Sequence, residues 1–291
     1  MNRESEKWIR TGIIFVALTL AGSAFATRGA AQQPAPTPAP TPAGKDKPAS
    51  APLTLDAAPT PPPVNAEEDA AMKAFRDAPP VDFRKKNELG EAFVQKYPES
   101  RYRSEVYNWL VKGYLASEDE KKMEAAGEKE LELTPNDAQT LAILGSTIPR
   151  TINPATQDPA KRLEKAEQYS KKALDLVPTF QKPEGISNEI FVAAKNQTMA
   201  LAYTGLGLVA FRRGKHAEAV TNLEQAVKLE QTPDPVNYYI LGVSNERTSH
   251  FEDAVAAFTK CAGIPGSLQA SCKSGIDEAK KLATTQLSAP K

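Results

Sequence analysis

Residues 200–265 read ALAYTGLGLVAFRRGKHAEAVTNLEQAVKLEQTPDPVNYYILGVSNERTSHFEDAVAAFTKCAGIP, and the same phrase occurs in them twice. Leu206-Gly207 is followed by Gly214, Ala219, Leu223 and Ala226; Leu241-Gly242 is followed by Ala254, Phe258 and Cys261. The two Leu-Gly pairs lie 35 residues apart, a period that indicates stacked repeats of one supersecondary unit. Each phrase predicts two helices joined by a tight turn. In the first helix, apolar residues at three- and four-residue steps form one face: Tyr203, Leu206 and Ala210 in one copy, Tyr238 and Leu241 in the other. Gly207 and Gly242 have no Cβ, so the second helix can come close, and Gly214 suits the turn. Ala219 and Ala226, or Ala254 and Cys261, leave room on the second helix for the large side chains of the first. One such hairpin cannot bury its own apolar face, so hairpins must stack.

With these residues quoted, the chain resembles the tetratricopeptide repeat family, whose first helix carries Trp, Leu, Gly and Tyr and whose second carries Ala, Phe and Ala before a closing Pro. Three positions depart from that pattern: Ala210 stands for the usual Tyr, Leu223 for the aromatic of the second helix, and the closing Pro is displaced to Pro233. The resemblance implies an all-α, right-handed α-solenoid of stacked helix–turn–helix repeats ending in a capping helix.

Lys and Arg together number 36, as do Asp and Glu, so no net field attracts nucleic acid. The chain begins MNRESEKWIRTGIIFVALTLAGSAFATRG: Arg3, Lys7 and Arg10 precede an apolar run from Thr11 to Gly22, and Ala24-Phe25-Ala26 follows. That order predicts a secretory signal peptide over 1–26 cleaved after Ala26; an uncleaved anchor is the alternative. Either reading exports the rest of the chain, to a periplasmic or outer-envelope location, or to the periplasmic face of the inner membrane if the anchor stays. Residues 27–64 follow as a Pro/Ala/Thr-rich disordered linker containing PAPTPAPTPAGKDKPAS and APTPPP. Such a composition favours an extended polyproline-like spacer, read either as a ligand for proline-binding domains or as a tether.

Residues 65–103 predict divergent repeat-like helices, with a first helix in AEEDAAMKAFRDA ended by Pro79-Pro80. Residues 104–137 form the next unit, with Tyr107, Leu110 and Tyr114 as its apolar stripe and Trp109 as a packing residue. Gly127 and Glu130 stand where the family prefers an aromatic and an alanine, which predicts a loosely packed second helix. Residues 138–180 form a unit with an inserted loop, in which Pro149 and Pro154 are expected to stop the first helix early. Asp158 and Pro159 are expected to cap and open the second. A unit at 186–234 has an extended first helix, another occupies 235–266, and 267–286 reads as an amphipathic capping helix with Leu268, Cys272, Ile276, Ala279 and Leu282 on one face. The insertions in the middle of the array shape a binding surface or are tolerated surface loops. Cys261 and Cys272 are the two cysteines; an oxidising compartment allows a disulfide between them, and two small buried hydrophobes are the alternative.

No motif for catalysis, cofactor or metal is present. His216 and His250 fall in the turns within repeats without a nucleophile or carboxylate in a recognisable arrangement, and two thiols without a neighbouring His supply too few metal ligands. The resemblance implies a concave groove lined by Leu201, Thr204, Leu208, Phe211 and Arg212 from one repeat, Val236, Tyr239, Val243, Glu246 and Arg247 from the next, and Arg150 from an earlier one. The Lys and Asn clamp with which some members hold a peptide C-terminus is not reproduced. These readings predict a non-catalytic protein–protein interaction scaffold of the bacterial envelope that holds a peptide or protein segment. The alternatives are self-association within an envelope complex and a cell-wall glycan-binding module.

Overall fold

The computed structural model describes residues 65–287; the expected signal peptide or anchor and the expected linker lie outside the described residues. Those residues form α1 (Ala66–Asp77), α2 (Phe83–Lys96), α3 (Arg103–Ala116), α4 (Glu120–Leu133), α5 (Ala138–Thr151) and α6 (Pro159–Leu176). A 3-10 turn at Val177–Thr179 leads to α7 (Asn188–Arg212), α8 (His216–Leu229), α9 (Pro235–Arg247), α10 (Phe251–Ala262) and α11 (Gln269–Leu287). No strand occurs among the described residues. The fold is the expected all-α one: neighbouring helices pack in pairs, α1 with α2 through α9 with α10, and α11 closes on α10.

Short polar residues start most of these helices by accepting the free backbone N–H groups of the first turn. Asn65 takes the N–H of Glu67, Asp82 that of Lys85, Asp119 that of Lys122, and Ser187 that of Ile190. Asp158 departs from its expected role. It precedes Pro159, but its backbone is left-handed at φ 46° and its side chain makes no capping bond. The turns within three hairpins share one left-handed residue at the same place: Glu118 (φ 57°), Gly214 (φ 73°) and Ser249 (φ 63°). Only the glycine takes that conformation without a Cβ penalty.

Two packing expectations are corrected. The second helix of residues 104–137 is not loose, because Leu144 of α5 fills the space over Gly127; a Cβ there would stand 2.9 Å from Leu144 Cδ2. Pro149 does not stop α5, which runs on to Thr151. Every residue from Thr140 to Arg150 is buried, and the packing of this central helix outweighs the hydrogen bond that proline removes.

That missing bond has a structural use. Pro149 has no N–H for the carbonyl of Gly145 four residues back, and this oxygen abuts Gly205 of α7; a Cβ at Gly205 would lie 2.7 Å from it. Ser170 of α6 packs into the same junction, fully buried, where a repeat would otherwise carry a large side chain. The backbones of α5 and α7 therefore meet almost directly. From this crossing α7 serves two cores. Val209 joins the one built from α1 to α6, and Leu208, Ala210 and Phe211 join the one built with α8 to α11.

Cys261 of α10 and Cys272 of α11 are joined as a disulfide, with Cα atoms 5.8 Å apart. Closing a loop of that length removes roughly 3 kcal/mol of chain entropy from the unfolded state. Reduction without denaturant is expected to lower the denaturation midpoint, and hydrogen exchange is expected to quicken first in α11.

Candidate functional site

The structure gathers few of the expected groove residues at a surface. Leu208, Phe211 and Val236 are core residues. Thr204 is buried and accepts a hydrogen bond from Asn237 Nδ2 at 2.9 Å. Arg150 is 6% exposed, with Nη2 on Asp234 Oδ2 at 2.6 Å. Arg212 donates through Nε to the Pro149 carbonyl at 3.1 Å. Leu201 is half-buried against α5 and α6 residues. Tyr239 and Val243 pack beside Ala254, Phe258 and Ala279, with the Tyr239 and Phe258 rings 5.9 Å apart. Glu246 is half-buried; desolvation, and then the nearby Glu278 of α11, raise its carboxyl above the usual range. Arg247 is exposed. The positions assigned to an open channel are thus spent mainly on joining one repeat to the next.

The joints follow one scheme. Asp137 caps α5 through Oδ1 and accepts Asn108 Nδ2 of α3 on Oδ2 at 2.6 Å. Asp234 caps α9 through Oδ1 and accepts Arg150 on Oδ2. A buried or half-buried glutamate sits beside each. Glu230 accepts from Asn237 Nδ2 at 3.1 Å and from the Asp234 N–H. Its burial raises its pKa to about 7, with the Asp234 charge adding to that shift and the Asn237 hydrogen bond opposing it. Glu130 of α4 is 1% exposed, with Ser104 Oγ on its Oε1 at 3.1 Å. Burial, reinforced by the Asp137 charge, pushes it up to about 7 as well. Because the folded protein holds these protons above the unfolded range, stability is complete below the ordinary glutamate pKa and falls as pH rises toward about 7. Glu130→Gln is expected to flatten that fall and to stabilise the protein at pH 8 by roughly 1–2 kcal/mol, measured by urea denaturation across pH.

The open concavity lies elsewhere, between α2, α3 and α4. It encloses about 400 Å³ and is lined by Glu91, Val94, Gln95, Tyr107, Leu110, Tyr114, Lys122, Ala125, Ala126 and Lys129. Its floor is apolar because α3 presents Tyr107, Leu110 and Tyr114 between the two outer helices. Its middle stays open because α4 offers only Ala125 and Ala126 between Lys122 and Lys129. At one end Lys122 Nζ bridges to Glu91 Oε1 at 2.7 Å, and the Tyr114 hydroxyl donates to the same carboxylate. Lys122 and the Tyr114 hydroxyl together hold Glu91 below the usual carboxylate range. At the other end stand Gln95, Tyr107 and Lys129, the last paired with Glu132 at 2.8 Å. Tyr107, Leu110 and Tyr114 are legible in the sequence as a buried stripe, but their second role is not, since it depends on the spacing of α2 from α4. The pair Ala125-Ala126 is the available signal.

Two other clusters bear on chemistry. Lys86 is 7% exposed, with its ammonium 4.2 Å from the Trp109 ring centroid and 5.0 Å from that of Phe75; burial lowers its pKa. His216 meets the edge of Phe211, and burial lowers its pKa too. Both side chains pack. Among the described residues no group of three or more His, Cys, Asp and Glu is placed to hold a metal ion, and no helix is long and apolar enough to cross a membrane.

Comparison with known proteins gives a family match: residues 200–233 fit the tetratricopeptide repeat. Among curated proteins none matches. Three solved structures are similar. TTC0263, a thermophilic TPR protein of Thermus thermophilus, is 18% identical; the match covers 74% of this chain and 99% of that one, with a TM-score of 0.44. PilW, a type IV pilus biogenesis factor, is 15% identical over 76% of this chain and 91% of its own, with a TM-score of 0.48. MamA is 21% identical over 65% and 92%, with a TM-score of 0.37.

Proposed function

We propose that this chain, a tetratricopeptide repeat protein, is a non-catalytic interaction scaffold of the bacterial envelope that holds an extended segment of a partner protein in the α2–α3–α4 groove. Repeat arrays of this kind present large surfaces on rigid helices and generally serve as protein–protein scaffolds. The observation that carries the proposal is the groove itself, an apolar, tyrosine-floored channel with charged rims in a molecule whose other groove-forming positions are consumed by repeat joints. Export is supported by the basic, apolar and small-residue order of the first 26 residues and by the Cys261–Cys272 disulfide, which suits an oxidising compartment.

Ala125 is exposed on the groove wall, so Ala125→Arg fills the channel without disturbing the core. The same change at Ala256, exposed on α10, is the control. In-cell crosslinking with spheroplast fractionation is expected to find the protein outside the cytoplasm, with a partner lost from Ala125→Arg and kept by Ala256→Arg. Equal partner sets for the two variants would overturn the groove assignment, and a cytoplasmic pool alone would overturn the location.

A further inference from the structure

We infer that the α2–α3–α4 groove also receives a second copy of this chain: the free first turns of α7, carrying Ile190, Phe191 and Val192, dock between α2 and α4 of the next molecule and join copies head to tail. This rests on the reading of that groove as a binding site and adds an occupant that competes with the partner segment.

The free end exists because α7 is longer than its neighbours. Gly205 lies against Gly145 and Arg212 reaches the Pro149 carbonyl, so α5 and α7 run in the same direction. α5 begins at Ala138, seven residues before Gly145, and the matching point on α7 is Thr198. α8 runs the other way, with Leu223 over Gly207, and ends six residues later at Leu229. Residues 188–197 therefore extend past both helices by about 15 Å. Successive helix residues are turned by about 100°, so Ile190 and Val192 stand on opposite flanks with Phe191 between them. Ile190 is 53% and Val192 51% exposed, and the Lys195 ammonium lies 5.6 Å from the Phe191 ring centroid. Apolar side chains gathered at a projecting helix end serve docking rather than folding.

Knob and groove agree in shape and charge. The groove has Tyr107, Leu110 and Tyr114 as its floor, Val94 of α2 on one wall and Ala125 and Ala126 of α4 on the other. Phe191 faces the floor when Ile190 and Val192 face the two walls. Glu189 and Lys195 flank this trio six residues apart, about 9 Å along α7. Lys122 and Lys129, which mark the two ends of the groove, are seven residues apart on α4, about 10 Å. At the first end Glu91 takes Lys122 and the Tyr114 hydroxyl both on Oε1, which leaves Oε2 for the Lys195 ammonium. At the second end Lys129 pairs with Glu132 of its own helix, both more than half exposed. Such a pair is worth little and gives way to Glu189. Because knob and groove lie on different elements, the contact is heterologous, and each docked copy offers the next a free groove. One helix end in a groove buries less than the ~1,600 Å² of a standard interface, so docking is reversible.

Sedimentation velocity of the full chain at rising concentration is the test, with circular dichroism to check that each variant folds. The parent is expected to pass the mass of a dimer. Ile190→Glu with Val192→Glu, both at exposed positions, removes the knob, and Ala125→Arg fills the groove; each variant alone is expected to stay monomeric. An equal mixture of the two is expected to form dimers and stop there, because one intact knob meets one intact groove. Independently, Lys129→Glu is expected to weaken association by about threefold, and Glu189→Lys in the same chain to restore it. A monomeric parent, a variant that associates like the parent, a mixture that stays monomeric or grows past the dimer, or a charge reversal that restores nothing would each overturn the inference. The two readings fail separately. If the parent stays monomeric while Ala125→Arg loses a partner in cells, the groove remains the partner site and only the docking of a second copy is wrong. If copies associate through the groove and no other protein depends on Ala125, the partner assignment is wrong and the second copy is the occupant.

Discussion

Gly205→Ala is expected to destabilise the fold by roughly 3 kcal/mol or more, at the upper end of what added methyl groups do in packed interiors. The reason is what the new Cβ meets. It runs into Ser170 Oγ and lies 2.7 Å from the Gly145 carbonyl oxygen. A side chain can turn aside, but the Gly145 backbone belongs to a helix buried along its length from Thr140 to Arg150 and cannot shift without moving α6 and α7 with it. Ser170→Gly in the same chain is therefore expected to restore only part of the loss. Urea denaturation followed by circular dichroism checks both variants. A Gly205→Ala protein as stable as the parent would mean that α5 and α7 do not cross where the structure places them.

Asp234→Ala is expected to cost about 3–5 kcal/mol, because the buried guanidinium of Arg150 loses its carboxylate. The side chain of Arg150 is 7% exposed and that of Asp234 22%, so water replaces the lost partner poorly. The aspartate also caps α9 through the Val236 N–H at 2.9 Å, a contact worth ~1 kcal/mol by itself. Asp234→Asn separates the two contributions: asparagine caps as well as aspartate but brings no charge, so it is expected to keep the cap and lose most of the pairing. The double variant Arg150→Met, Asp234→Asn is expected to be more stable than either single change, because no uncompensated charge is left inside. The measurement is a double-mutant cycle by urea denaturation. Additive losses would show that the two side chains do not interact.

These two sites also mark the limit of what the sequence discloses. The Leu-Gly pairs are legible because their consequence is local: Gly207 admits Leu223 of the next helix and Gly242 admits Phe258, each within one hairpin. Gly205 lies two residues before Gly207 and gives no signal, since its partner Gly145 belongs to another repeat and the contact depends on Ser170 being small. Arg150 reads in the sequence as projecting into a channel. Its true partner is 84 residues away, and a residue type alone does not say whether a guanidinium meets water or a neighbouring helix cap. Thr204, Leu208 and Phe211 fit a groove only in a more open stack; here α9 packs onto them, so that Leu208, Phe211 and Val236 share one core. The cysteines pose the easier problem, because there are two and adjoining elements carry them.

The disulfide at the α10–α11 junction gives the array a direction. Linear stacks come apart by fraying from their ends, since a terminal hairpin has one neighbour and an internal hairpin two. Cys261–Cys272 staples α11 to the last hairpin, while α1 and α2 are held without a covalent link, by core residues such as Met72, Phe75 and Phe93 and by the half-exposed pair of Arg76 and Glu105 at 2.6 Å. Unravelling therefore starts from the α1–α2 hairpin. A processive protease pulling from that side unravels the α1–α2 and α3–α4 hairpins before it reaches the Gly145–Gly205 crossing, whereas one pulling from the other side meets the loop closed by the disulfide first.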